Sequence, residues 1–140
     1  MSVTFSPSVV VVGVDGSTSS RHAAQWASRY AAMTGSRVRL VVAWNWVMSF
    51  GYPQLMEELR PEAHAKQLAE ESIAAIDLPK DRVEVRVEQG DPREVLVKDS
   101  ADAALLVVGS RGLGRFEGPL LGSVSAYCIA HASVPVVVTR

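Results

Sequence analysis

Residues 104–123 read Ala104-Leu105-Leu106-Val107-Val108-Gly109-Ser110-Arg111-Gly112-Leu113-Gly114-Arg115-Phe116-Glu117-Gly118-Pro119-Leu120-Leu121-Gly122-Ser123. A continuous apolar run, Ala104–Val108, leads straight into five glycines within fifteen residues, and a helical pattern starts at Ser123. Strand, glycine-rich turn and helix, in that order, are how a parallel α/β sheet brings its main chain against a ligand.

Working outward, four more apolar runs flank this one: Val9–Val14, Val38–Ala43, Val83–Val87 and Val134–Thr139. Valine dominates them, and a branched Cβ suits a pleated sheet. Segments with helical spacing separate the runs, giving β-α-β-α-β-α-β-α-β. That alternation predicts an α/β fold with a five-stranded parallel, doubly wound sheet and helices on both faces. The first helix is expected over Ser19–Thr34, with Ala23, Ala27, Tyr30 and Ala31 toward the core and Arg21, Gln25, Ser28 and Arg29 elsewhere. Gly35 closes it. The second is expected over Pro61–Ile76 with Ala65, Ala69, Ile73 and Ile76 on one face. The third starts at Asp91-Pro92-Arg93-Glu94, a cap followed by proline at the first helical position. The fourth runs from Ser123 to before Pro135.

Strand texture orders the sheet. Val9–Val14 and Ala104–Val108 are apolar throughout, as strands covered on both faces are. Val83-Glu84-Val85-Arg86-Val87-Glu88 alternates, which predicts one wet face near an edge, and Pro135 confines the fifth run to an edge or a strand start. With right-handed crossovers the order becomes 3-2-1-4-5, and the winding reverses between strands one and four. Ligands of open α/β sheets bind beyond the carboxyl ends of the strands at such a reversal.

The bulk numbers narrow the possibilities. At 140 residues, 48% apolar and 21% charged, the chain fits a single domain over residues 1–140. It buries roughly 68% of its unfolded surface and needs no disulfide or metal to fold. A formal charge of −1 offers no global field for nucleic acid or anionic membrane. Met1–Ser8 carries no basic residue and does not read as a signal peptide. No stretch approaches the ~18 apolar residues that cross a bilayer. With the one cysteine, Cys128, these features lead us to expect a cytoplasmic protein. His22, His64 and His131 have no metal-ligand spacing, and Cys128 reads as a core residue with no base beside it.

The glycine segment has two readings. Successive N–H groups in such a turn form an anion nest, and the positive end of the fourth helix at Gly122-Ser123 faces the same anion. Arg111 and Arg115 can add charge-assisted contacts, and Ser123 can cap the helix or donate to a phosphate oxygen. A surface loop ending in a helix cap accounts for glycine and serine equally well. Position at the reversal favours phosphate. The segment is no P-loop, because no lysine precedes Ser123, and no dinucleotide fingerprint follows strand one. There the chain reads Gly13-Val14-Asp15-Gly16-Ser17. Asp15 can bond a base or ribose or help hold a phosphate-bound Mg²⁺, or it can join Ser17 in an Asx turn that caps the first helix.

Gly109-x₂-Gly112-x₉-Gly122-Ser123 resembles the nucleotide-binding signature of the universal stress protein family, spacing included. Val12–Ser17 is similar to that family's first strand and turn, and His131–Val136 to its closing segment. Members that do not bind ATP generally lack the glycine spacing. The resemblance implies a Rossmann-like fold of the adenine-nucleotide-hydrolase type, with ATP as ligand and Mg²⁺ as its companion. Gly13 and Asp15 would line the adenosine end, with Val42 or Ala43 beside the base. Gly109 and Gly112 would meet ribose and α-phosphate, with Ser110, Arg111 and Leu113 in the same turn. Gly114 and Arg115 would continue the loop, and Gly122, Ser123 and Val124 would hold the outer phosphates. Val42-Ala43-Trp44 departs from the family's histidine-containing end of strand two, and Trp44 and Trp46 read as core or cover rather than base-stacking groups. Residues 45–59 form a long connection that serves as a lid or as plain surface.

No side chain is well placed to activate water; Glu117, in the loop, reads as solvated. The expected function is therefore an ATP-binding stress-response regulator. The alternatives are a slow ATPase or nucleotidyl-transfer enzyme and an AMP or cyclic AMP sensor. The apolar edge Val134–Thr139 would invite aggregation if left open, and a homodimer through it is expected.

Overall fold

The computed structural model describes residues 8–45, 60–111 and 121–140. Strands β1 (Val9–Gly13), β2 (Arg37–Trp44), β3 (Val83–Gln89), β4 (Leu105–Gly109) and β5 (Val136–Thr139) alternate with helices α1 (Thr18–Thr34), α2 (Pro61–Ile73), α3 (Pro92–Asp99) and α4 (Ser123–His131). All strand pairs are parallel and the sheet order is β3-β2-β1-β4-β5, as the strand textures predict.

Alternation along the central strands sorts the helices onto two faces. Val10 and Val12 of β1, Leu40 of β2 and Val107 of β4 are fully buried against the alanines of α1 (Ala23, Ala27, Ala31) and of α2 (Ala65, Ala69). On the other face Val11, Val41, Leu106 and Val108 pack with Val95 and Leu96 of α3 and Cys128 of α4. Burial alone pushes the Cys128 thiol up to about 11, so at neutral pH it behaves as a small apolar side chain.

Local signals fix the helix ends. Ser17 caps α1 by accepting from the Ser20 amide at 3.1 Å, and Gly35 at φ +74° closes it in the left-handed region. Asp91 caps α3, accepting from the Arg93 amide at 2.9 Å. Three expectations need correction. Ser28 points inward, because its hydroxyl accepts from the Asp77 amide at 2.8 Å and so satisfies a donor within the α2–β3 connection. Helix α2 stops at Ile73, which is 37% exposed. Tight turns from Ser72 and Ile73 then swing Ile76 into the core. The fifth strand starts at Val136, since Pro135 has no N–H and contributes only its carbonyl, which accepts from the Leu106 amide at 2.9 Å.

The polar face of β3 is also drier than alternation suggests. In register, Arg39 of β2 lies beside Glu84 and Ala43 beside Glu88. Arg39 is buried; it donates to Glu84 at 3.0 Å, to Asp102 at 2.8 Å and to the Asp99 carbonyl at 2.8 Å. Arg86 bonds the other Glu84 oxygen at 2.7 Å. Burial works to raise the Glu84 pKa, yet the bonds to both arginines outweigh it and hold the carboxyl below its ordinary value. The helix covering this face is short, and long charged side chains fill the space that apolar ones fill elsewhere.

Candidate functional site

Each helix that follows a parallel strand starts at the carboxyl edge of the sheet, so α1 and α4 both open where the winding reverses between β1 and β4. The turn after β1 is closed on itself. Asp15 Oδ1 accepts from the Ser17 amide at 2.9 Å, an Asx turn, and the Asp15 amide donates to Ser20 Oγ at 3.3 Å. Gly16 sits at φ +88°, a conformation that strains any residue with a Cβ.

The exit of β4 is stitched to that turn. Ser19 Oγ accepts from the Arg111 amide at 3.1 Å and donates to the Arg111 carbonyl at 2.8 Å; Ser17 Oγ reaches the same carbonyl at 3.3 Å. The Ser110 amide donates to the Thr139 carbonyl at 2.6 Å, and the Ser110 carbonyl accepts from the Gly122 amide at 2.7 Å and from Ser125 Oγ at 3.2 Å. Residues 110 and 122 therefore meet directly, and α4 begins beside the end of β4.

The expected cap on α4 moves by one residue. Gly122 is the N-cap, at φ −66° and ψ 164°, and without a side chain it leaves the helix end uncapped; Ser123 is the first helical residue and is exposed. Among the described residues no acceptor takes the Ser123 or Val124 amide. Donors without a partner at the positive end of a helix are what an anion requires.

The other expected site residues take varied positions. Gly13 faces α3, where a Cβ would meet Leu96 Cδ1 at 2.7 Å. Gly109 faces α1 instead of open space. A Cβ there would lie 2.5 Å from Ser19 Oγ and 2.6 Å from the Ser19 carbonyl carbon, so this glycine lets α1 approach β4. The Val42 side chain is 2% exposed within the core, while Ala43 is half-buried and packs on the α3 face. Trp44 packs against the core edge. The amides of Ser110, Arg111 and Gly122 are spent on protein acceptors, so α4 rather than the start of the loop carries the open donors. Gly112, Leu113, Gly114, Arg115, Glu117, Trp46 and residues 46–59 lie outside the described residues.

A cleft of about 270 Å³ opens beside Asp15 and Gly16 and is walled by His64, Gln67, Leu68 and Glu71 of α2. The sequence reading leaves this wall out, although the spacing of 64, 67, 68 and 71 places those residues on one helical face. Gln67 donates to Glu71 at 3.2 Å across it. Among the described residues no group of three or more His, Cys, Asp or Glu could hold a metal ion, and no helix is long and apolar enough to cross a membrane.

Residues 8–140 match the model of the universal stress protein family. A universal stress protein of Mycobacterium tuberculosis is 39% identical over 135 residues, which cover 94% of this chain and 45% of that protein. The chain thus spans about half the length of the curated relatives it matches. Among solved structures, the universal stress protein UspA from Lactobacillus plantarum superposes with a TM-score of 0.77 at 19% identity, covering 98% of this chain and 100% of that one. A universal stress protein in complex with cAMP superposes with a TM-score of 0.67 at 30% identity, covering 95% and 97%. The matched span, the sheet order and the two helix ends that meet at the winding reversal agree: the chain belongs to the universal stress protein family.

Proposed function

We propose that this chain binds an adenine nucleotide, ATP, at the carboxyl edge between β1 and β4 and acts as a stress-response regulator whose occupancy reports nucleotide state. The observation that carries the reading is the uncapped start of α4, whose Ser123 and Val124 amides face the reversal with no acceptor among the described residues. These amides take the outer phosphates. The cleft beside Asp15 receives the nucleoside end, with Ala43 near the base. Mg²⁺ enters with the phosphates, since Asp15, the carboxylate of the β1 turn, already has its Oδ1 engaged by the Ser17 amide. The nucleotide-bearing relative at 30% identity supports the class of ligand. Residues 1–140 act as one domain in the cytoplasm and pair as a homodimer through β5, whose four residues are all half-buried at the sheet edge.

Gly122→Val tests the site. Its backbone sits at φ −66°, which valine adopts freely, so the fold persists while the side chain crowds the anion. Calorimetric titration with ATP is expected to show binding by the native chain and a loss of at least about tenfold in the variant, the worth of roughly one charge-assisted bond. Equal binding by the two proteins overturns the assignment. The cAMP-bearing relative favours a second reading, a cyclic nucleotide sensor, in which cAMP displaces ATP at stoichiometric concentration. Turnover of Mg²⁺–ATP near ~10 s⁻¹ would place the chain among enzymes instead.

A further inference from the structure

Three chain segments that are distant in sequence meet at Ser19. Its hydroxyl both accepts from and donates to Arg111, at 3.1 and 2.8 Å, across 92 positions of sequence. Thr139, the last residue of β5, grips the same joint twice. Its hydroxyl donates to the Ser19 carbonyl at 3.2 Å, and its carbonyl accepts from the Ser110 amide at 2.6 Å. The helix comes close enough for these bonds because position 109 has no side chain. The joint lies one residue from the Ser110–Gly122 bond that sets the start of α4.

We infer that Ser19 is a positioning residue for this site, holding the exit of β4 where the α4 amides and the β1 turn face one anion, and that Thr139 ties the edge strand β5 into the same joint. The inference rests on the nucleotide reading above. Ser19 need not touch the ligand. It fixes the backbone at Arg111 and hence Ser110, whose carbonyl orients both Gly122 and Ser125. A partner strand that docks on β5 therefore acts on nucleotide affinity through Thr139, and bound nucleotide acts back on the edge by the same amount, as linkage requires.

The test compares Ser19→Ala with Ser28→Ala. Both remove a buried hydroxyl from α1, but Ser28 bonds Asp77 well away from the crevice. Titration with ATP is expected to show about tenfold weaker binding for Ser19→Ala, the worth of two ordinary hydrogen bonds, and a change within about twofold for Ser28→Ala. Hydrogen exchange at the Arg111 amide is expected to quicken only in Ser19→Ala. Thr139→Val, which keeps the shape and loses the hydroxyl, is expected to weaken binding about threefold and decides the matter if Ser19→Ala fails to fold. Equal losses in the two serine variants, or unchanged ATP affinity in Ser19→Ala, overturn the inference and leave the nucleotide reading standing. If the native chain binds no ATP, both fall.

Discussion

Two of the buried polar regions among the described residues are built differently. At the reversal between β1 and β4 most internal bonds run between hydroxyls and main chain: Ser17, Ser19, Ser20, Ser125 and Thr139 serve Arg111, Ser110 and the helix ends, with the Asp15 carboxylate held on the Ser17 amide. Beneath α3 the bonds are ionic, with Arg39 and Arg86 matched to Glu84, Asp99 and Asp102. Such a framework leaves room for a ligand's own charge, because the Asp15 carboxylate is turned onto the Ser17 amide and the helix end still faces outward. An internally matched ladder does not. It fills the space over an edge strand where a short helix brings too little apolar surface. Buried polarity marks a binding site only where the donors are left over.

The largest expected effect comes from breaking the ionic region. Arg39→Met keeps the chain length and strands Glu84, Asp102 and the Asp99 carbonyl. Urea unfolding is expected to show a loss of about 3 kcal/mol, at the low end of the usual cost for a broken buried pair. Glu84 and Asp102 keep 36% and 70% of their side-chain surface in solvent and can rehydrate, which holds the cost down. ATP affinity should be untouched. If it falls with stability, the two regions are not separate.

Gly109→Ala breaks the region at the reversal instead. The new Cβ would press on Ser19 and Ser20 main-chain atoms at 2.6 and 2.8 Å, which cannot rotate away. A cost of about 2 kcal/mol is expected from overpacking. Here nucleotide binding should weaken as well, since the helix that carries Ser19 must move. A variant as stable as the native chain would show that α1 and β4 are not in fixed contact.

The smallest effect is a dependence on pH. Glu88 Oε2 and Asp99 Oδ2 are buried with no hydrogen-bond partner among the described residues. Two ionised carboxylates offer no donor, so these groups can bond only through a shared proton. That bond to Asp99, then burial, holds the Glu88 carboxyl above its ordinary value of 4.5, while Lys98 and Arg86 pull the other way. The folded chain thus keeps this proton to higher pH than the unfolded chain. The stability it brings is complete below about 4.5 and is lost as pH rises through the folded value. Glu88→Gln supplies a permanent donor. Its melting temperature relative to the native chain should climb from pH 4.5 to pH 8, by at most about 1 kcal/mol in stability. A constant difference over that range would mean that the two carboxyl groups share no proton.

Much of the fold is legible in the residues. Continuous valine in β1 and unbroken apolar texture in β4 identify the inner strands, and alternation in β3 with Pro135 before β5 identifies the edges. Each is a local consequence of which faces meet water. Reading the site from sequence was less complete. The glycine at 109 reads as room for a ligand, yet its missing side chain makes room for α1. The serine at 123 reads as a cap, yet it falls one position inside the helix. In both cases glycine or serine serves several physical purposes, and spacing along the chain does not choose among them.

By itself, then, the sequence determined the order of the strands, the reversal of winding and the presence of a helix start beside it, because hydrophobic period, proline and glycine act over a few residues. Tertiary structure alone decided which amides remain open and which are consumed. The bonds that spend them join Ser19 to Arg111 and Ser110 to Thr139 and Gly122, and no local pattern carries the geometry of partners brought together only when the sheet closes.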